Sequence, residues 1–262
     1  MTTLPAEDDY SAFARHYDLI YSQRQDDIPM YLDFAAAVDG PILELGCGSG
    51  RVLLPLAQEG HHIVGLDSSS DMLTLAKTKV EQAKLTHNVT LVEGNLVDFS
   101  LQSRFDLIYI PINTFMHCYT QEQQLSCLNC ARRHLNTGGR LIIDIYHPDP
   151  QSLTECDGRL VCESVFADET SGNTIQHSYS RRLDRAQQTQ RITFVVDETD
   201  SSGSMTRVYF SFRMRFVYRF EMQLLLRTAG YSLENLYGSY DLEPFESSSE
   251  KMIFVARTDW AG

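Results

Sequence analysis

Short apolar runs alternate with helix-like segments through the first 147 residues. The runs are four to seven residues long and mostly apolar, as is typical of strands buried on both faces of a parallel sheet. They lie at 42–45, 61–67, 89–93, 105–110 and 141–146. Apolar residues at helical spacing between them predict helices at 28–38, 51–59, from 69 or 70 onward, and 121–133. This alternation predicts a doubly wound α/β sheet.

The pattern changes after residue 150. Residues 174–183, 190–199 and 205–218 are rich in β-branched and aromatic residues, and Asp200-Ser-Ser-Gly between the last two is typical of a hairpin turn. They predict three antiparallel strands inserted after the fifth core strand. A helix at 220–229 and strands at 232–237 and 251–257 then return to the core sheet.

The chain therefore divides into four segments. They are an N-terminal lid with helices (1–37), a cofactor-binding core (38–150), an antiparallel β insert (151–218) and the remainder of the core sheet (219–262).

A glycine-rich turn follows the first strand. The sequence Glu44-Leu-Gly-Cys-Gly-Ser-Gly50 places glycines at alternate positions, where the backbone can adopt positive φ and a ligand can approach it closely. A helix follows, and its N-terminus suits a polar ligand. The dinucleotide fingerprint has its third glycine one place later, so an NAD-dependent oxidoreductase is disfavoured.

Four motifs in order resemble the class I S-adenosylmethionine-dependent methyltransferases, small-molecule type. They are the glycine turn, Gly65-Leu-Asp67 with Ser70-Asp-Met-Leu73, Phe105-Asp-Leu-Ile-Tyr-Ile110, and Leu135-Asn-Thr-Gly-Gly-Arg-Leu141. The resemblance implies a seven-stranded, mostly parallel Rossmann-like sheet, with the antiparallel insert and the helical lid over the acceptor. It also implies S-adenosylmethionine as cofactor and S-adenosylhomocysteine as product.

The same resemblance assigns the cofactor contacts. Glu44 would orient the methionine end and Asp67 the ribose, although Asp67 also suits a helix N-cap. Met72 would pack on the adenine or simply in the core, and Asn95 stands where the family usually has aspartate. The implied cofactor set is Glu44, Gly46, Cys47, Gly48, Gly50, Asp67, Ser68, Met72, Asn95, Leu96 and Pro111.

Acceptor-side candidates lie in the lid, in the loop after the fourth strand and in the insert. His117 resembles a histidine of amino-sugar N-methyltransferases, and histidine as a residue type suits a catalytic base near neutral pH; a helix-start histidine bonded to backbone is the alternative. Tyr17 and Tyr21 are further catalytic candidates, unless the aromatic entry is a surface helix. Substrate-binding candidates are Tyr10, Asn113, Arg213 and Arg215; a solvated or ion-paired strand face would also explain the arginines.

Charge and composition limit the kinds of molecule that we expect this chain to bind. The net charge of −13 disfavours a nucleic-acid partner, which needs clustered Lys and Arg. No apolar run approaches the ~18 residues of a membrane helix, so we expect no membrane contact and a cytoplasmic location. Cys127-Leu-Asn-Cys130 lacks a second ligand pair, and Asp144 with His147 lacks a second carboxylate, so we expect no metal.

The sequence thus predicts methyl transfer from S-adenosylmethionine to a nitrogen or oxygen of a small-molecule acceptor, in a chain that could form a homodimer. Two alternatives keep the cofactor motifs. One is a protein that binds S-adenosylmethionine without turnover, and the other is a protein methyltransferase, which needs a wider charged approach surface.

Overall fold

The computed structural model describes residues 14–21, 24–155 and 157–258. The strands are β1 (Ile42–Leu45), β2 (Ile63–Asp67), β3 (Val89–Glu93), β4 (Phe105–Ile110), β5 (Leu135–Tyr146), β6 (Leu160–Ala167), β7 (Thr174–Asp184), β8 (Thr189–Thr199), β9 (Met205–Arg215), β10 (Tyr231–Tyr237) and β11 (Lys251–Thr258). The helices are α1 (Ala14–Tyr21), α2 (Ile28–Ala36), α3 (Leu53–Gln58), α4 (Ser70–Gln82), α5 (Gln121–His134), α6 (Pro150–Glu155) and α7 (Arg219–Thr228).

Seven strands form one sheet in the order β10-β11-β5-β4-β1-β2-β3. Strands β1 to β5 pair in parallel, and β11 runs antiparallel to both β5 and β10. The predicted doubly wound fold class is confirmed. Strand order reverses between β1 and β4, and ligands of such sheets bind at the carboxyl ends of the strands beside this reversal.

Burial explains why the core strands show little alternation. All four residues of β1 are buried, because helices cover both faces of a doubly wound sheet. On one face, Tyr31 of α2 packs in the same apolar cluster as Tyr109 of β4 and Ile142 of β5. Glu44 is the polar exception in β1, at 1% exposure.

The structure divides the chain into two compact units. One contains residues 24–147 and the chain from 217 onward, and it holds α2 and the seven-stranded sheet. The other contains α1 and residues 148–216, with a four-stranded antiparallel sheet in the order β6-β7-β8-β9. The predicted roles of lid and acceptor cap stay predictions.

Two sequence-based element assignments were wrong. The insert has four strands, not three, because β6 escaped detection: its Leu160 and Val165 are about 60% exposed, so its apolar positions mark no buried face. Strand β5 begins at Leu135 rather than 141. Leu135 already pairs with Phe105 of β4, and an irregularity accommodates the glycines before Arg140 pairs with Leu107.

Candidate active site

The glycine turn after β1 is held tightly against β2. The amides of Gly46 and Cys47 both donate to the Leu66 carbonyl, at 2.7 and 3.1 Å. Gly46, Gly48 and Gly50 all have positive φ, at 77°, 51° and 86°. A Cβ on Gly46 would overlap Cγ2 of Thr114, which follows β4. Glycine is therefore required at 46, because the turn and the β4 loop approach so closely.

The Asp67 carboxylate bridges two backbone segments of the site. Its Oδ2 accepts from the Gly48 amide at 2.8 Å, and its Oδ1 accepts from the Ser69 amide at 2.9 Å. Burial raises the pKa of Asp67, while these amides oppose the rise. Ser69 caps α4 by accepting from the Met72 amide, so Asp67 is not the N-cap. Each carboxylate oxygen keeps a further acceptor position for a ribose hydroxyl.

Glu44 and Tyr109 form a buried pair behind the glycine turn. The Tyr109 hydroxyl donates to Oε2 of Glu44 at 2.8 Å, and both residues are buried. Burial raises the pKa of Glu44 to about 8, although the Tyr109 hydrogen bond and Arg51 lower it. At neutral pH, Glu44 is therefore mainly protonated.

Arg51 ties the turn to the start of α2. Its Nη1 and Nη2 donate to Oδ1 and Oδ2 of Asp27 at 2.7 and 2.5 Å, and Nη1 also donates to the Arg24 carbonyl at 2.7 Å. Asp27 is only 1% exposed. A bidentate pair of this kind fixes the glycine turn relative to α2. Sequence reasoning missed this pair.

The predicted adenine-side residues occupy the ends of β2 and β3 and the start of α4. Met72 is buried on α4, which leaves both of its proposed roles open. Asn95 is exposed, and its Oδ1 accepts from the Val97 amide at 3.1 Å. Leu96 is half-buried and Ser68 is exposed. These positions follow carboxyl ends of strands, as the family resemblance implies.

Two further predicted cofactor residues are Cys47 in the glycine turn and Pro111 directly after β4. Cys47 is 4% exposed, and burial raises the pKa of its thiol well above the ordinary value. Pro111 is buried directly after β4, and its carbonyl accepts from the Thr114 amide at 3.1 Å. Cys47 is thus a neutral packing group at neutral pH, and Pro111 shapes the β4 loop.

The loop after β4 is strained and anchored on β5. Ile112 and Asn113 have φ of 34° and 63°, a region that a β-branched residue rarely adopts. The Ile112 amide donates to Oδ2 of Asp144 at 3.3 Å, and the Asn113 amide donates to the Asp144 carbonyl at 2.9 Å. Oδ1 of Asn113 accepts from the Tyr146 amide at 2.7 Å. The Asn113 side chain thus keeps its amide nitrogen and one further acceptor position on Oδ1 for the predicted acceptor contact.

His117 closes the short 3-10 helix Thr114–His117 and is half-buried. Its ring meets Tyr119 edge-on, with centroids 6.4 Å apart. It lies in the loop after the carboxyl end of β4 and does not start a helix, and its predicted acceptor-side role stays a prediction.

The other acceptor-side candidates belong to the second compact unit. The rings of Tyr17 and Tyr21 stack on α1, with centroids 4.4 Å apart. On β9, Arg213 is exposed and Arg215 is half-buried. Tyr10 lies outside the described residues. The roles predicted for these residues stay predictions.

A cavity of about 580 Å³ opens beside the loop between β10 and β11. Carboxylates dominate its lining, with one lysine: Asp26, Asp241, Glu243, Glu246, Glu250 and Lys251. Tyr240, also in the lining, donates from its hydroxyl to Oδ2 of Asp144 at 2.8 Å. Hydrogen bonds through Asp144 therefore link one lining residue, Tyr240, to the Ile112 amide of the β4 loop.

Neither a metal-ion cluster nor a membrane-spanning helix occurs in the part of the chain that the structure describes. Among residues 14–21, 24–155 and 157–258, no group of three or more His, Cys, Asp or Glu has the geometry to hold a metal ion. In those ranges no helix combines the length and apolar character that crossing a membrane would need.

A doubly wound sheet with a glycine turn after β1 and a carboxylate at the end of β2 defines a nucleotide-cofactor site. The residues fit S-adenosylmethionine, because Asp67 offers acceptors to a ribose and Glu44 offers a carboxyl group to an amino group.

Comparison with known proteins shows that this chain is similar to methyltransferases. Residues 42–139 match the family model of the methyltransferase domain. The cypemycin N-terminal methyltransferase of a Streptomyces species is 29% identical over 82% of this chain and 81% of that protein. The dTDP-3-amino-3,6-dideoxy-alpha-D-glucopyranose N,N-dimethyltransferase of Streptomyces fradiae is 28% identical over 65% of this chain and 66% of its own.

A solved structure extends the match to the fold. The CcbJ methyltransferase from Streptomyces caelestis has a TM-score of 0.77 and 26% identity, covering 91% of this chain and 98% of that one. Residues 42–139 of this chain thus match a methyltransferase domain, and the predicted resemblance to methyltransferases is confirmed.

Proposed function

We propose that this methyltransferase transfers the methyl group of S-adenosylmethionine to an amine nitrogen of a small-molecule acceptor. The observation that carries the proposal is the Asp67 bridge between the Gly48 and Ser69 amides, in a chain similar over most of its length to a methyltransferase that acts on an N-terminus. Nitrogen is favoured over oxygen as the methyl acceptor, because the cypemycin methyltransferase and the amino-sugar dimethyltransferase are both named for N-methylation.

Each site residue has a role in the proposal. Gly46, Gly48 and Gly50 admit the cofactor, Asp67 binds the ribose, and Glu44 receives the amino end of the methionine part. The remaining cofactor contacts, at the adenine, come from Met72, Asn95 and Leu96. When bound, S-adenosylmethionine supplies an electrophilic methyl group on a sulfonium.

His117 is the proposed acceptor-side base. An amine attacks only when its lone pair is free of a proton, and a neutral imidazole at the carboxyl edge of the sheet can take that proton. Orientation of the acceptor by the β4 loop would supply much of the remaining rate. Tyr17, Tyr21, Arg213, Arg215 and Tyr10 stay acceptor-side candidates.

The carboxylates beside the β10–β11 loop support an acceptor without phosphates. Five carboxylates line that cavity against one lysine, and the chain carries a net charge of −13. Such a field attracts a cationic amine and repels a nucleotide-linked sugar.

A peptide N-terminal amine is the second candidate acceptor, because the cypemycin methyltransferase resembles this chain over 82% of its length.

An acceptor panel tests the proposal. The protein is incubated with S-adenosylmethionine and, in turn, an aliphatic diamine, an amino sugar, its dTDP-linked form, a short peptide and matched alcohols. S-adenosylhomocysteine release and methylated product are measured by mass spectrometry. We expect N-methylation of the cationic amines or the peptide, and its loss in Asp67→Ala.

The panel also separates the alternatives. Product from alcohols only would overturn the nitrogen assignment. Product from the dTDP-linked sugar but not from the free amines would overturn the phosphate-free acceptor. Tight cofactor binding with no product from any acceptor would favour a protein that senses S-adenosylmethionine.

A further inference from the structure

Two neighbouring strands each carry a polar side chain into the same apolar layer. Strands β1 and β4 pair in parallel, and their register sets Glu44 opposite Tyr109. The Tyr109 hydroxyl donates to Oε2 of Glu44 at 2.8 Å, at exposures of 0% and 1%. A carboxyl group buried this deeply is held by the partners it has, so this hydrogen bond fixes its orientation.

A second tyrosine beside the pair provides a contrast. The ring of Tyr31 on α2 lies 4.9 Å from that of Tyr109, and it is equally buried. Within the described part of the chain, its hydroxyl has no hydrogen-bond partner. The two tyrosines therefore share packing and differ in their bond to Glu44.

We propose that Tyr109 is a positioning residue of the cofactor site: its hydroxyl fixes the Glu44 carboxyl that receives the amino end of the cofactor's methionine part. The inference rests on the role given to Glu44 in the proposed function. Tyr109 itself acts only through Glu44.

Charged and titratable groups surround Glu44 from every packed element. They are Tyr109 of β4, Arg51 after the glycine turn, Asp27 at the N-cap of α2, Tyr31 of α2, Asp67 of β2 and Cys47 of the turn itself. Burial raises the pKa of Glu44 most, Asp27 and Asp67 add to the rise, and Tyr109 and Arg51 oppose it. The pKa of about 8 leaves the carboxyl mainly protonated at pH 7.

Cofactor binding then releases a proton. An ammonium beside Glu44 favours the carboxylate, so the carboxyl proton leaves to solvent as the ammonium is bound. For a free-protein pKa of about 8, binding at pH 7 releases roughly 0.9 proton, and affinity rises with pH until about that pKa. Loss of the Tyr109 hydrogen bond raises the pKa further, so the affinity plateau moves to higher pH.

Calorimetric titration with S-adenosylhomocysteine tests the proposed role of Tyr109, because this probe carries the same amino end as S-adenosylmethionine. The titration is run from pH 6 to pH 9 in two buffers of different ionisation enthalpy. The difference in heat between the buffers gives the number of protons released on binding. We expect Tyr109→Phe to bind about tenfold more weakly at pH 7, with its plateau displaced to higher pH. Tyr31→Phe, the matched control, keeps the wild-type profile.

Glu44→Gln separates this inference from the proposed function. It should bind weakly with no proton release, and Tyr109→Phe in that background should have no further effect. Wild-type binding by Glu44→Gln would refute the role of Glu44. Weak binding by Glu44→Gln together with a wild-type profile for Tyr109→Phe would refute only the role of Tyr109.

A uniform loss of affinity at all pH values in Tyr109→Phe would mean that Tyr109 only supports the fold, and would overturn the inference. If Tyr109→Phe does not fold, the chain made with 3-fluorotyrosine at position 109 alone tests the same inference. Its more acidic phenol donates more strongly, so the plateau should move to lower pH. An unmoved plateau would overturn the inference equally.

Discussion

Replacing Gly46 by alanine is expected to weaken both folding and cofactor binding. Gly46 has φ of 77°, and its backbone lies so close to the β4 loop that an added Cβ would overlap Cγ2 of Thr114. The same Cβ would lie 3.1 Å from the Thr114 hydroxyl oxygen. The methyl group must therefore displace either the glycine turn or the loop that leads to His117.

The expected loss of unfolding free energy in Gly46→Ala has two parts. A left-handed backbone costs an alanine about 1 to 2 kcal/mol, and forcing extra atoms into a packed region costs about 1 to 3 kcal/mol. Gly46→Ala should thus lose about 3 kcal/mol of unfolding free energy. Gly60 is the matched control in the same unit, because its φ is 95° but nothing lies within 4 Å of an added Cβ. Gly60→Ala should lose only the backbone part, about 1 kcal/mol.

Urea unfolding measures both variants, and calorimetry with S-adenosylhomocysteine measures binding. Thr114→Ala in the Gly46→Ala background removes the overlapping methyl and should restore about 2 kcal/mol, while the backbone cost remains. Equal losses in Gly46→Ala and Gly60→Ala, or no restoration by Thr114→Ala, would refute the close approach of turn and loop.

Three further predictions test the supports of the site. Arg51→Met leaves the buried Asp27 carboxylate without its bidentate partner, so urea unfolding should show a loss of about 3 kcal/mol; an unchanged midpoint would contradict the tie between the turn and α2. Thr120 forms a capping box at the start of α5. Thr120→Ala should therefore lower the unfolding free energy by about 1 kcal/mol, whereas Thr120→Ser should stay near wild type. Equal losses in the two variants would show that the Thr120 hydroxyl does not stabilise the helix. His117→Ala should lower kcat for methyl transfer at least tenfold or so while the affinity for S-adenosylhomocysteine stays at the wild-type value; unchanged kcat would exclude His117 as the base.

The sequence could predict the core because its signals are local. Apolar runs of strand length, the glycine turn and the acid that ends β2 each occupy a few consecutive residues, and the parallel sheet brings the ends of β1 and β2 together at one edge. Asp67 could be placed for this reason, and its bonds to the Gly48 and Ser69 amides agree with that placement.

The supporting pairs could not be predicted because their partners lie far apart in the chain. Tyr109 and Glu44 are 65 residues apart, and Arg51 and Asp27 are 24 apart. One signal was present: a tyrosine and a glutamate within buried strands each need a hydrogen-bond partner, and neighbouring parallel strands can supply it. Strand β6 gave no such signal, because none of its residues is buried and its Leu160 and Val165 are exposed.

Calorimetric titration of the wild-type protein and Asp67→Ala with S-adenosylmethionine, S-adenosylhomocysteine and NAD tests the central claim most directly. The glycine turn and Asp67 should give micromolar binding of both sulfur nucleotides and none of NAD, with affinity falling at least tenfold or so in Asp67→Ala. Failure of either sulfur nucleotide to bind, a preference for NAD, or wild-type affinity in Asp67→Ala would contradict the account of the cofactor site.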